Sequence, residues 1–224
     1  MDLFYSTQLN IAQQKMSSYM TLLNFRYMNL CVKAEAASLI PVNVIIMGAV
    51  KNLEEVADVA LPDDYHIAII PKSDEQESLK LIGEGVSMSH PEFKLAIKTT
   101  KAQNKDKQYL EYEMPEVDKD RRDFLSEAVK SLHDEAKVKI DELYTNAKIE
   151  YTNLLSDKPE ELDEVIEELD KIHDKCVDNI LQSKLSKLDE VEEGYQRYLS
   201  EHSDETDAEE HPGFDVTNSM KMES

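Results

Sequence analysis

The sequence predicts an α+β protein: an elongated three-helix bundle with a small, mostly β domain inserted after the first helix, plus a disordered acidic C-terminal tail. Three observations predict it. Over three long stretches, apolar residues recur at alternating spacings of three and four, which gives a helix one apolar face. Between the first and second of these, the chain switches to short β-rich runs bounded by turn residues. After residue 200 the apolar period disappears, and eight acidic residues stand against one lysine, a composition that cannot bury a core. The expected units are residues 1–38 with 114–199 (the bundle), 39–113 (the inserted domain) and 200–224 (the tail).

The first helix carries Leu9, Ala12, Met16, Tyr19, Leu23, Tyr27, Leu30, Ala34 and Ala37 on one face. No Gly or Pro interrupts residues 1–40, so the helix is expected to run until Pro41 ends it. "VNVIIMG" (Val42–Gly48) and "HIAII" (His66–Ile70) read as strands, and "QESLKLIG" as a short helix. "FKLAIKT" and "QYLEYEM" alternate in hydrophobicity and flank "TKAQNKDK", a hairpin with a long basic turn. The helical period returns after Pro115, with Asp118 as N-cap. Leu125, Val129, Leu132, Ala136, Ile140, Leu143, Ala147, Tyr151 and Leu154 form its face. "SDKPEE" then breaks the pattern, with Ser156 or Asp157 as cap and Pro159 in the first turn of a third helix. Leu162, Ile166, Leu169, Ile172, Cys176, Ile180, Leu188, Val191, Tyr195 and Tyr198 line that helix. Its expected length is about 39 residues, or roughly 58 Å. Helices this long bury their stripes only on one another, so the inserted domain belongs at one end of the bundle. Two chain crossings join it there, at Ser38 and at Met114–Pro115, and two crossings make a hinge.

Charge narrows the function. With 47 acidic and 25 basic residues the chain has a formal net charge of -22, which repels DNA and RNA except where positive charge is locally concentrated. No run reaches the roughly 20 apolar residues that span a bilayer, so no membrane partner is expected. The start, "MDLFYSTQLNIAQQK", lacks a basic region followed by an apolar stretch, and a cytoplasmic location is expected. The two cysteines, Cys31 and Cys176, are too few for a disulfide framework and are expected not to pair.

Within so acidic a chain, "EVDKDRRDFLSEAVK" (Glu116–Lys130) opens a helix with adjacent arginines, against the preference of a helix start for anions. Arg121 and Arg122 have two readings: phosphate contact, or ion pairing with acids such as Asp118 and Asp120. His173 and Cys176 stand three apart, and Cys31 or His133 can be imagined beside them. Cys176 falls on the apolar stripe, however, and two ligands are incomplete for zinc, so no metal and no cofactor is expected. "GEG" (Gly83–Gly85) lacks the Gly-Lys-Ser/Thr of a phosphate loop. The carboxylates of "EELDEVIEELDK" sit on a helix's polar faces, not in a cleft that would shift their pKa values. "KTTKAQNKDK" is the one basic patch, read as a solubilising hairpin tip before a contact with RNA or with the acidic body of the chain.

Three stretches resemble the ribosome recycling factor family. "PEVDKDRRDFL" is similar to the family's P-P-L-T-E-E-R-R-K-x-L at the start of the second helix. "GAVKNLEEVADVALPDDYHIAIIP" is similar to its insert, G-T-P-x-P-L-x-x-L-A-x-V followed by an acidic turn and a strand. "LDKIHDKCVDNI" is similar to the third helix, where K-I-x-D-K is frequent. The similarity spans about residues 8–198. It implies a non-enzymatic protein of tRNA-like shape that works with elongation factor G on the large ribosomal subunit to split ribosomes after termination. It also implies that Lys33, Arg121 and Arg122 belong to an rRNA-facing surface.

The departures from the family concern charge. Where the family has R-T-G-R-A-S, this chain has "KAEAAS": Lys33 keeps a cation, while Glu35 and Ala36 replace Gly-Arg. Where the family has R-N-x-R-R-D, gripping 23S rRNA, this chain has Asp141, Glu142, Leu143, Tyr144, Thr145 and Asn146. Losing several phosphate contacts costs orders of magnitude in affinity. Two functions follow: a recycling-factor-like protein of translation, or a paralogue without rRNA binding that serves as an acidic module for a basic protein partner.

Overall fold

The computed structural model describes residues 3–73, 75–102 and 105–202. Helix α1 (Leu3–Met28) leads into an irregular linker and a 3₁₀ turn, Ala36–Leu39. Strands β1 (Asn43–Ile46) and β2 (Ala49–Asn52) pair as a hairpin. Its two turn residues, Met47 and Gly48, have φ of 51° and 77°, the left-handed pair that matches strand twist in a two-residue hairpin. Helix α2 (Leu53–Val56) starts at Asn52, whose side chain and Glu55 form a capping box. Strands β3 (Ala57–Ala60) and β4 (His66–Pro71), helix α3 (Gln76–Ser89) and strands β5 (Lys94–Ala102) and β6 (Lys105–Glu113) follow. The antiparallel sheet has the order β3-β4-β6-β5. The inward residues of its central strands, Ile67, Ile69, Leu110 and Tyr112, meet Ile82 and Val86 of α3 in one core.

Two long helices complete the chain, α4 (Lys119–Leu154) and α5 (Pro159–Glu201). With α1 they enclose a second core built on Met16, Leu23, Val129, Ile140, Leu169 and Ile180. At 43 residues, α5 extends about 65 Å. A small third core of Val32, Val117, Leu125 and Val191 lies where the linkers pass the bundle. Both cysteines are free and buried, Cys31 in the β-domain core and Cys176 in the bundle core.

Four local expectations need correction. Helix α1 ends at Met28, not at Pro41. Its last turn closes through Asn29 N–H to the Arg26 carbonyl and Leu30 N–H to that of Tyr27, both 3.1 Å. Beyond it, consecutive Cys31 and Val32 are both buried in different cores, which an irregular segment permits and a helix with one apolar face does not. The basic stretch after Thr99 is not a long turn, because β5 and β6 pair as far as Ala102 opposite Lys105. Lys98 of that hairpin is ion-paired with Glu111 of the neighbouring strand. The stripe of α4 ends one residue later than expected: Leu154 is 47% exposed and Leu155, which caps the helix, is fully buried. Finally, α5 is capped by Lys158 without a side-chain bond, not by Ser156 or Asp157, although Pro159 opens it as expected. The expected tail begins within α5, and from residue 203 onward it lies outside the described residues.

Candidate functional site

The two linkers converge on one dipeptide. Ala34 N–H donates to the Asp64 carbonyl (2.7 Å) and Met114 N–H to the Tyr65 carbonyl (2.8 Å). Arg197 of α5 reaches the same place, its guanidinium 2.6 Å from the Asp64 carboxylate and 5.9 Å from the Tyr65 ring centroid. The last quarter of α5 is shaped to receive the linkers. A Cβ on Gly194 would stand 2.7 Å from Val32 Cγ1 and 3.1 Å from Val117 Cγ2. Of the three expected hinge residues, Ser38 and Met114 are 1% exposed and Pro115 is half-buried.

The arginine pair belongs to this joint. Asp118 caps α4 by accepting from Arg121 N–H at 2.8 Å, as its sequence position predicts. The Arg121 guanidinium turns inward and donates to the Cys31 carbonyl at 3.0 Å, while its Nε is buried without a partner. Burial disfavours its charge, and Glu92, Cys31 and Asp118 oppose that, with a net lowering of its pKa. Arg122 crosses to α5, 2.8 Å from the Glu192 carboxylate and 4.9 Å from the centroid of Tyr195, with Asp123 at 3.7 Å. So the partners of Arg122 are Glu192 and Asp123, not Asp118 or Asp120. Lys33 is half-exposed and sits 3.8 Å from Glu35; Ala36 is exposed at the start of the 3₁₀ turn.

His90 lies at the centre of the linker's other face. It is 1% exposed, stacked on Phe93 with centroids 4.7 Å apart. Its Nε2 is 3.0 Å from the Ser38 carbonyl and its Nδ1 is 3.5 Å from Glu92. Burial penalises the imidazolium, but Cys31, Glu92 and the Ser38 carbonyl together override it and push the ring's pKa up to about 10. Sequence reasoning missed His90 and Glu92, which stand far from Cys31 in the chain and carry no local signal.

Of the α4 residues that the sequence resemblance singles out, Asp141 and Tyr144 face α5. Asp141 bonds Lys137 (2.7 Å) and His173 (2.9 Å). Partial burial pushes its carboxyl up, yet these two partners prevail and hold it below the usual carboxylate range. Tyr144 donates to Asp170 at 2.7 Å and accepts from Lys148 at 2.9 Å; its ring lies 4.4 Å from that of His173. Glu142 pairs with Lys139 at 2.9 Å, and Thr145 and Asn146 are exposed. His173 therefore faces Asp141, while Cys176 is packed in the bundle core and His133 pairs with Asp134.

The profile of the family described as "Ribosome recycling factor" matches residues 25–191. No curated protein matches this sequence. Among solved structures, a solution structure of the ribosome recycling factor is similar at a TM-score of 0.68 and 18% identity, over 86% of this chain and 100% of that one. A chain from the T. thermophilus ribosome recycling factor and E. coli elongation factor G bound to the E. coli post-termination complex is similar at 0.53 and 19% identity, over 84% and 97% of the two chains. At these identities the structures speak for the fold, an antiparallel sheet domain set into a helical bundle, and the profile speaks for descent: this chain belongs to the ribosome recycling factor family, whose members are translation factors and not enzymes.

Proposed function

We propose that this protein acts on ribosomes after termination, with elongation factor G as its partner, in the cytoplasm. The observation that carries the reading is the fold itself, a long helical rod with a sheet domain mounted at one end by two linkers. Such a body works mechanically: the rod docks against the large subunit, and the sheet domain, turning about Ser38, Met114 and Pro115, meets the factor that drives separation. A similar protein has been placed with elongation factor G on the post-termination complex. No helix among the described residues is long and apolar enough to cross a membrane.

A second reading rests on one specific observation. Asp141 and Tyr144 are spent on the α4–α5 contact, and Arg121 and Arg122 on the joint. A bundle whose arginine pair is taken up within the fold suits an acidic module that binds a basic protein.

Ribosome co-sedimentation over a salt series separates the two. The ribosomal reading expects binding at low salt that weakens as salt rises. Replacing exposed Glu142, Thr145 and Asn146 together by arginine should strengthen binding and steepen the salt dependence, since each new phosphate contact adds about 0.7–0.9 to the logarithmic slope. Asp141 is left intact because it bridges two helices. No binding at low salt, by either protein, sinks the ribosomal reading and favours the acidic module.

A further inference from the structure

The linker leaving α1 meets the β domain at three side chains with metal-ligating atoms. Cys31 Sγ, a ring nitrogen of His90 and a carboxylate oxygen of Glu92 all lie within 4.8 Å of one another. We infer that this cluster is a transition-metal site, suited to Zn²⁺, that fastens the linker to the inserted domain.

The donor chemistry points to the ion. A thiolate with an imidazole and a carboxylate matches zinc's borderline softness, whereas magnesium and calcium take oxygen ligands alone. The second observation is the outer partner of His90. Its Nε2 is 3.0 Å from the Ser38 carbonyl, an acceptor only, so that nitrogen keeps a proton and Nδ1, which gives up its own proton as the ion binds, is the ligating atom. Nδ1 is also the nitrogen nearest Glu92, at 3.5 Å. Donation from the second ring nitrogen to a backbone carbonyl is how ligating histidines are usually oriented. The Phe93 stack holds the ring in place.

Access and charge also fit. Cys31 and His90 are buried, while the Glu92 side chain is 33% exposed, which leaves an entry path and room for a water as fourth ligand. Arg121 opposes a dication, but its charge also favours the Glu92 carboxylate that the metal needs. Its guanidinium is bonded to the Cys31 carbonyl. The affinity should therefore be lower than that of a four-ligand structural site without a neighbouring cation.

The test is Co²⁺ titration of the full chain after chelator treatment, read by the near-ultraviolet thiolate-to-cobalt band. The chain has only two cysteines, so the band reports one of two residues, and carboxylates or histidines elsewhere do not produce it. The site predicts a band that saturates at about one equivalent, is displaced by Zn²⁺, survives C176S and vanishes in C31S. E92Q should weaken binding by about tenfold or more, since losing even an outer partner costs 10- to 100-fold. Zn²⁺ should raise the melting temperature of the wild type more than that of E92Q. Glu92 is the most exposed ligand, so E92Q keeps the test decisive if C31S fails to fold. No thiolate band in the wild type, a band that persists in C31S, or unchanged affinity in E92Q overturns the site.

Discussion

Gly194 is the residue at which both linkers press closest on α5. A methyl there would overlap Val32 and crowd Val117. Overpacking of this kind costs about 1–3 kcal/mol, against about 1 kcal/mol that alanine returns in helix propensity. Gly194→Ala should therefore destabilise the protein by roughly 1 kcal/mol, measured as a lower urea midpoint at unchanged slope. Val32→Ala in the same chain should restore part of the loss. A midpoint that rises in the single variant would mean that the linkers give way at no cost. Arg121 shows how far a residue's role was readable in advance. Its place at the start of α4 and the Asp118 cap are local, and both were legible in "EVDKDRRDFL". That its guanidinium turns to the Cys31 carbonyl depends on a linker 90 residues away, and no spacing reveals that.

Among elements, the helix pair α4–α5 holds the most distinctive chemistry. The carboxyl of Asp141, bridged to Lys137 and His173, is held below its ordinary value of 3.8. Its contribution to stability is therefore complete above that value and is lost as pH falls through the lower, folded one. Asp141→Asn removes that dependence, so between about pH 5 and about pH 2 the wild type should lose more stability than the variant. Equal losses, followed by helix content through urea unfolding at each pH, would show that the bridge is absent in solution. The stripes of these two helices were legible because a 3.6-residue period is a local property, repeated over many turns. The end of α1 was not. Leu30, Ala34 and Ala37 continue its period, but Cys31, Val32 and Ala34 are claimed by other cores, and tertiary packing overrides propensity there. The β5–β6 turn was misread because lysines look like loop residues in sequence, whereas Lys101 stands in register opposite Asp106 and Lys105 opposite Ala102. The cluster of Cys31, His90 and Glu92 had no local signature at all.

At the scale of the molecule, the sheet domain is a guest within a helical host. Neither bundle core includes any described residue between 36 and 112, so the host completes itself from the two segments flanking the guest. Both ends of the guest hang from adjacent carbonyls, those of Asp64 and Tyr65. Tension applied to the ends of the chain thus runs through α1, α4 and α5, and the guest carries no load while the host holds its two ends together. Pulled in an optical trap, the protein should rupture in a set order. The long helices should part first, in one event that frees the linkers, and the sheet domain should resist until a second, separate event. A single rupture releasing the whole contour length would mean that host and guest fail together. A factor built this way can be pushed and pulled at its rod while its sheet domain stays folded.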